Sequence, residues 1–360
     1  MEVKFKLLFG NLGCTIFFMK KLIKQTALFL SALAAFLSFP SCHRASDRII
    51  YNDSKTPVER FGKLSVEGTH LCDSAGNPVQ LCGLSSHGLH WYGKYANPDV
   101  LKWLRDDFNA DLWRAAMYVG GNGGYAQNRG MASKVIESIE AAKETGLYVI
   151  VDWHVLPECD PLLYVRQSEE FFEMIASTYA DCPNIIYEIC NEPNGDKVTW
   201  EGNIKPYAER IIPIIRKHCD NVIVVGTPCW SSDLASAAAS PIEGQKNIMY
   251  TLHFYAGSHG QDSRNVAENA IKNGLPIFVT EWGTTQASGD GGVYEKETLE
   301  WMKFLAKNKI SWANWSVNNK GEDSGVLKYN KDRDAKGGWQ ESDLQPSGIL
   351  VRKILRGEIR

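Results

Sequence analysis

Two short apolar stretches of the sequence carry acids that a hydrophobic core would reject. Glu188 and Glu192 lie in NIIYEICNEPNG, residues 184–195, and Glu281 lies in PIFVTEWG, residues 276–283. Taking a carboxylate out of water costs several kcal/mol unless the group is paired or used. Two such acids meeting across a cleft can divide the breaking of a glycosidic bond between them. One attacks the sugar carbon, and the other first protonates the leaving oxygen and later activates water. For attack, the carboxyl groups must stand about 5–5.5 Å apart. Mutual repulsion raises the pKa of one partner and keeps it protonated until the other has reacted.

The elements that must position this pair are legible as eight apolar runs: PVQLCGLSSHG, ADLWRAAMYV, LYVIVDWHV, NIIYEICNEP, NVIVVGTPCW, NIMYTLHFYAG, PIFVTEWG and ISWANWSV. Between them, stretches such as MASKVIESIEAAKETG and IKPYAERIIPIIRKH place apolar residues at helical spacing. Strand then helix, eight times over, predicts an α/β fold of the (β/α)8 barrel type. A doubly wound sheet would need a glycine-rich phosphate turn, which the sequence lacks. A β-hairpin is expected before the barrel in KLSVEGTHLCDSAGNPVQLCG, with Ser74 to Pro78 as its turn.

Residues two apart on a strand share a face, and inward residues at the C-terminal ends of barrel strands face the active site. The last inward residues of the eight runs are His87, Arg114 with Tyr118, His154, Glu192, Trp230, His253 with Tyr255, Glu281 and Trp315. All are polar, ionisable or aromatic, where a purely structural core would have Val, Leu and Ile. On this reading Glu188 lies about 13 Å below Glu192 on an extended strand, at about 3.3 Å per residue. It is then a buried structural acid, and Glu192 stands at the mouth.

These motifs also resemble glycoside hydrolase family 5, close to its bacterial endo-β-1,4-glucanases. GLSSHGLHWYG, WRAAMYV, YVIVDWH, IYEICNEPNG, VIVVGTPCWS, LHFYAGSHGQ, PIFVTEWG and ISWANWSVNNK carry the likeness through all eight strands. The resemblance implies a retaining, endo-acting hydrolase of β-1,4-glucans with Glu192 as acid/base and Glu281 as nucleophile. It further implies that Arg114 and Tyr255 hold Glu281, that Asn191 bonds the sugar 2-hydroxyl, and that His154 and His253 orient the carboxylates. Trp315 is expected beneath the sugar at the cleavage point. His87, Trp91, Tyr118, Lys320 and Glu322 are expected on the glycone side, with Trp230 and His259 on the aglycone side. Trp282, next to Glu281, points away. The SVNNKGEDSGVL segment after Trp315 falls where such enzymes vary, so mannan, xylan and mixed-linkage β-glucan stand as alternative substrates. A glycan-binding protein that has lost catalysis is the alternative from another class. An aldolase or isomerase would need a Schiff-base lysine or a phosphate site, and neither is visible.

Composition agrees with an enzyme of this kind. The 360 residues are 44% hydrophobic and 22% charged, with a formal net charge of −3. With no basic run and no paired zinc-type cysteines, a nucleic-acid partner is not expected. No cofactor or metal is expected, and the chain is read as a monomer acting on a β-glucan. Residues 1–42 read as a signal peptide, with Met19 as the natural start: MKKLIKQTALFLSALAAFLSFPSC is basic, then apolar, then ends in Ser41-Cys42. That ending resembles a lipoprotein site acylated at Cys42. Export to the cell envelope or medium follows, with membrane attachment only through the lipid. Residues 43–57 form a tether, and residues 58–356 the catalytic barrel. Cys72 and Cys82 could pair across the hairpin.

Overall fold

The computed structural model describes residues 49–51, 53–121 and 123–359. The leader, Met19 and Cys42 lie outside these residues. The first helix, Pro57–Phe61, starts at a Thr56/Glu59 capping box, in which each side chain satisfies the other's backbone N–H. A hairpin follows, β1 (Ser65–Glu67) with β2 (His70–Cys72). It reverses at Gly68-Thr69, and β2 then pairs back across the expected Ser74–Pro78 turn through an antiparallel bridge between Cys72 and Pro78. That second turn is built by Asp73, whose Oδ1 accepts from the Ala75 and Asn77 N–H groups at 2.9 Å. Cys72 is a buried thiol donating to the His70 carbonyl at 3.8 Å, so no Cys72–Cys82 bridge forms.

The eight expected runs form eight parallel strands: β3 (Cys82–Ser86), β4 (Leu112–Tyr118), β5 (Tyr148–His154), β6 (Ile185–Glu188), β7 (Ile223–Val225), β8 (Ile248–Tyr255), β9 (Ile277–Gly283) and β10 (Trp312–Val317). They close as a barrel in the order β10-β3-β4-β5-β6-β7-β8-β9. The two helical stretches read from spacing are the helices Met131–Thr145 and Lys205–Arg216. Their apolar faces pack outside the strands, as do Val149, Ile185 and Ile277. Among the described residues no helix is long and apolar enough to cross a membrane.

The barrel interior is layered. Leu112, Ile150, Ile186, Val224, Met249 and Phe278 fill its N-terminal half, and Phe61, Leu71 and Leu81 close it from below. The hairpin is thus a plug that keeps water from this end. One step up each strand the residues change character: Arg114 follows Leu112, Asp152 follows Ile150, and Glu188 follows Ile186. All three are completely buried. One further step on β5 reaches His154 at the mouth, and two on β4, past Ala116, reach Tyr118.

Strand β9 departs from simple alternation. Between Thr251 and His253 on β8 it carries one additional residue, pairing Phe278 and then Glu281. Against β10 the same excess appears between Val279 and Trp282. Such a bulge re-aims the side chains that follow it. Phe278, Thr280 and Glu281 consequently all face inward, while Val279 and Trp282 pack outside. Strict alternation back from Glu281 would have put Val279 inside.

Gly226, just after β7, backs the turn that carries Glu192. A Cβ there would stand 2.3 Å from the Cys190 carbonyl oxygen and 3.1 Å from that of Asn191. Gly226→Ala should therefore destabilise the fold by about 1–3 kcal/mol, as overpacking typically does. Urea unfolding measures this, and an unchanged midpoint would mean that the turn yields freely.

Candidate active site

Arg114 is the hub of the site. Its Nε and Nη2 donate to the two oxygens of Glu188 at 2.7 and 3.1 Å. Nη1 donates to Glu281 Oε2 at 2.9 Å, and Nη2 also reaches Asn191 Oδ1 at 2.6 Å and Asp152 Oδ2 at 2.9 Å. Burial alone would lower the guanidinium pKa. The charges of Asp152, Glu188 and Glu281 outweigh it and raise the pKa well above its ordinary value. Only the flat five-donor fork of arginine serves so many acceptors from one point.

The two candidate catalytic acids occupy opposite environments. Glu281 receives Arg114 on Oε2 and the Tyr255 hydroxyl on Oε1 at 2.7 Å. Both contacts donate to it, which suits an ionised carboxylate. Glu192 meets a ring nitrogen, His253 Nδ1, at 2.8 Å from its Oε1. Burial, reinforced by the Glu188 charge and opposed by Arg114, pushes the Glu192 pKa up to about 8. Burial pulls His253 down to about 4, so the imidazole is neutral at pH 7. Carboxylate oxygens of Glu192 and Glu281 and a nitrogen of His253 lie within 4.8 Å of one another. The two carboxyl groups thus face each other at close range, nearer the roughly 5–5.5 Å of a retaining pair than the roughly 6.5–9.5 Å of an inverting one.

Around this pair is a cleft of about 610 Å³. Aromatic faces form one wall: Tyr118 stacks on His154 at 4.3 Å, and His154 lies parallel to Trp315 at 5.5 Å. Flat rings of this kind pack against the C–H faces of sugars. His154 is oriented from behind by Asp152, with Nδ1 to Oδ2 at 2.6 Å. Burial and the nearby Arg114 hold its pKa far below the usual value, so it meets the cleft uncharged. His87 stands 5.0 Å from Trp315, and its Nδ1 accepts from the Gly88 N–H at 2.7 Å. Its Nε2 faces Glu322 Oε1 at 3.8 Å, beyond hydrogen-bond reach. Lys320 pairs with the other Glu322 oxygen at 2.5 Å.

Most residues picked from the sequence thus meet in one place: His87, Tyr118, His154, Glu192, Trp230, His253, Tyr255, His259, Glu281, Trp315, Lys320 and Glu322 all line this cleft. Trp91 is a neighbour and not a lining residue, half-exposed beside Tyr118 at 5.3 Å. Asn191 is completely buried, with Oδ1 on Arg114 and Nδ2 donating to the Val155 carbonyl at 3.0 Å. It is not among the residues that line the cleft, so its side chain ties Arg114 to the turn. Trp282 packs outside against Phe254.

Three readings need correction. Glu192 and Trp230 are not on strands. β6 ends at Glu188 and β7 at Val225, and Trp230 stands in a turn where Cys229, Trp230 and Ser231 have φ near +55°. Glu188 does not lie a strand's length below Glu192, because the His253 ring spans the gap, 2.8 Å from Glu192 and 3.9 Å from Glu188. Glu188 is otherwise the buried, hydrogen-bonded acid that the sequence implies, and Arg114 joins it to Glu281. Asp152 and Thr280 were missed. Asp152 could have been found as the inward residue two before His154, but Thr280 could not, because its orientation depends on the bulge. The lining residues Ser288 and Gly289 lie in a loop without periodicity and carry no sequence signal.

A closed parallel barrel with two carboxyl groups facing each other at its C-terminal mouth is the arrangement from which carboxylate-pair glycosidases work. The comparisons narrow this. Residues 72–321 match the family model for cellulase, glycosyl hydrolase family 5. The chain is 48% identical to Endoglucanase A of Evansella cellulosilytica over 78% of its length, and 47% identical to Endoglucanase 5 of Pectobacterium carotovorum over 84%. It spans 57% and 59% of those two proteins. A solved structure from Cytophaga hutchinsonii matches with a TM-score of 0.81 and 44% identity, covering 84% of this chain and 97% of that one. The catalytic domain of a Thermobifida fusca endoglucanase in complex with cellotetraose matches at 0.79 and 40%, covering 84% of this chain and all of that one. The chain belongs to glycosyl hydrolase family 5.

Removing the hub leaves three carboxylates buried without their cation. Arg114→Met should lower the unfolding free energy by about 3–5 kcal/mol, the usual consequence of breaking a buried ion pair from one side. Denaturant melts at pH 7 test this, and wild-type stability would mean that the acids find protons or water instead.

Proposed function

We propose that this chain is a retaining endo-β-1,4-glucanase acting on cellulose-type or mixed-linkage β-glucans. The observation that carries the reading is the contrast between Glu281, which receives two donors, and Glu192, which faces a neutral imidazole, within 4.8 Å. In the first step a Glu281 oxygen forms a bond to the anomeric carbon as the glycosidic bond breaks. The proton of Glu192 passes to the leaving oxygen. Glu281 is then a neutral ester, and Glu192, now a carboxylate, takes a proton from water as that water attacks the same carbon. Two inversions return the original anomer. Arg114 and Tyr255 hold the attacking oxygens in line throughout, so little reorganisation is needed at the moment of reaction.

The curated relatives' names, endoglucanases in each case cited, support β-1,4-glucan over mannan or xylan. The cleft's aromatic wall and the Lys320–Glu322 pair suit a chain of pyranose rings with hydroxyls at their edges. We further propose export through the leader at residues 19–42 with acylation at Cys42. Cys42→Ala should then abolish fatty-acid labelling and release the protein from membranes.

Proton NMR of cello-oligosaccharide cleavage should find the β-anomer first, and initial appearance of the α-anomer would exclude double displacement. Glu281→Ala should lose at least about four orders of magnitude in kcat, as loss of a nucleophile does, with azide restoring turnover to an inverted product. Because Glu192 must start protonated and its pKa is raised to about 8, kcat/KM should hold below that pH and fall about tenfold per unit above it. That limb should fade for aryl glycosides with good leaving groups, and Glu192→Ala should spare their first step. Faster reducing-sugar release from mannan or xylan than from carboxymethylcellulose would reassign the substrate, and tight retention of oligosaccharide without cleavage would point to a binding protein.

A further inference from the structure

We propose that Thr280 is a positioning residue whose hydroxyl selects the tautomer of His253 and so keeps the acid's proton on Glu192. The inference rests on the reading of Glu192 as the proton donor. It follows from counting protons along one chain of contacts. Both oxygens of Glu188 accept from Arg114, which marks Glu188 as a carboxylate. The Thr280 hydroxyl lies 2.7 Å from Glu188 Oε1 and donates its single proton there. Its oxygen can then only accept, and His253 Nε2, 2.9 Å away, must be the donor. A neutral imidazole has one N–H. His253 Nδ1 therefore presents a lone pair to Glu192 Oε1 at 2.8 Å, and the hydrogen bond between them needs its proton on Glu192.

The count survives the remaining neighbour. Thr251 Oγ1 also lies against Thr280 Oγ1, and its own proton can go there or to the Phe278 carbonyl at 3.2 Å. Neither choice supplies a second acceptor proton for His253. Without the Thr280 hydroxyl the ring is free to keep its proton on Nδ1. It would then donate to an ionised Glu192 and favour the charged form. The other groups that bear on Glu192 are Arg114 and Tyr118 from β4, Asp152 from β5, Glu188 from the end of β6, Tyr255 from β8 and Glu281 from β9. On the His253 side stand also His154 and His259. A substitution at Thr280 changes none of these charges. The bulge in β9 is what allows consecutive residues, Thr280 and Glu281, to serve the two acids separately.

The test compares Thr280→Val, which keeps the shape and removes the hydroxyl, with Thr280→Ser, which retains it. Long-range proton–nitrogen spectra of histidine-labelled protein read the His253 tautomer, with signals assigned through His253→Asn. Carbon-13 spectra of labelled glutamate follow the titration of Glu192, assigned through Glu192→Gln. Wild type and Thr280→Ser should hold the Nε2–H tautomer. In Thr280→Val the proton should move toward Nδ1, and Glu192 should titrate lower by about one pH unit or more, within the range that a lost or gained hydrogen bond produces. The alkaline limb of kcat/KM should follow by the same amount, with the plateau at lower pH changed only a few-fold. An Nδ1–H tautomer in wild type, or an unshifted Glu192 titration in Thr280→Val, would overturn the proposal. The wild-type tautomer decides by itself should Thr280→Val fail to fold. Absence of β-glucan hydrolysis by wild type would count against the function proposed above, and the spectra would still judge the role of Thr280.

Discussion

The constraint on which the rest of the molecule depends is one guanidinium, Arg114, shared among three buried carboxylates. Asp152, Glu188 and Glu281 come from three other strands, so this one side chain ties β4 to β5, β6 and β9. Charge is under-compensated there by design of the geometry, one positive group serving three acids. Burial, with the Glu188 charge added and Arg114 opposing, raises the Glu192 pKa and keeps it protonated. Glu192 and Glu281 differ in what touches them and not in residue type.

The same economy explains the layering of the barrel. An apolar lower half, plugged by the N-terminal helix and hairpin, excludes water from beneath the ionic layer. The low dielectric that makes unpaired charge costly also strengthens each hydrogen bond that is made. Aromatic rings at the mouth complete the enclosure on the side where substrate enters. On β5 each layer is a single step, so Ile150, Asp152 and His154 run from core to ion pairs to cleft surface, while β4 places Ala116 between Arg114 and Tyr118.

Much of this was legible in the residues. Eight apolar runs with intervening helical spacing indicate a parallel sheet covered by helices, and the lack of a glycine-rich phosphate turn favours the closed barrel over a doubly wound sheet. The odd company of Arg, His, Glu, Tyr and Trp at the ends of those runs located the cleft, since a core has no use for such groups. The readings that failed share one cause. Glu192 and Trp230 were placed on strands because the runs were taken as extended to their last residue, whereas the hydrogen-bonded ladders stop at Glu188 and Val225. The turn read at Ser74–Pro78 is present, with Cys72 bridging to Pro78, and pairing adds an earlier reversal at Gly68-Thr69.

By itself the sequence determined which residues could do the chemistry and that eight strands would bring them to one rim, because residue type and period are local properties. Only the tertiary structure decided what surrounds each acid, because those partners come from other strands: Arg114 and Tyr255 on one carboxyl, a neutral His253 on the other. It also decided, through one additional residue in β9, that Thr280 and Glu281 both face inward, and no pattern of alternation along a single strand encodes such a shift in register with its neighbours.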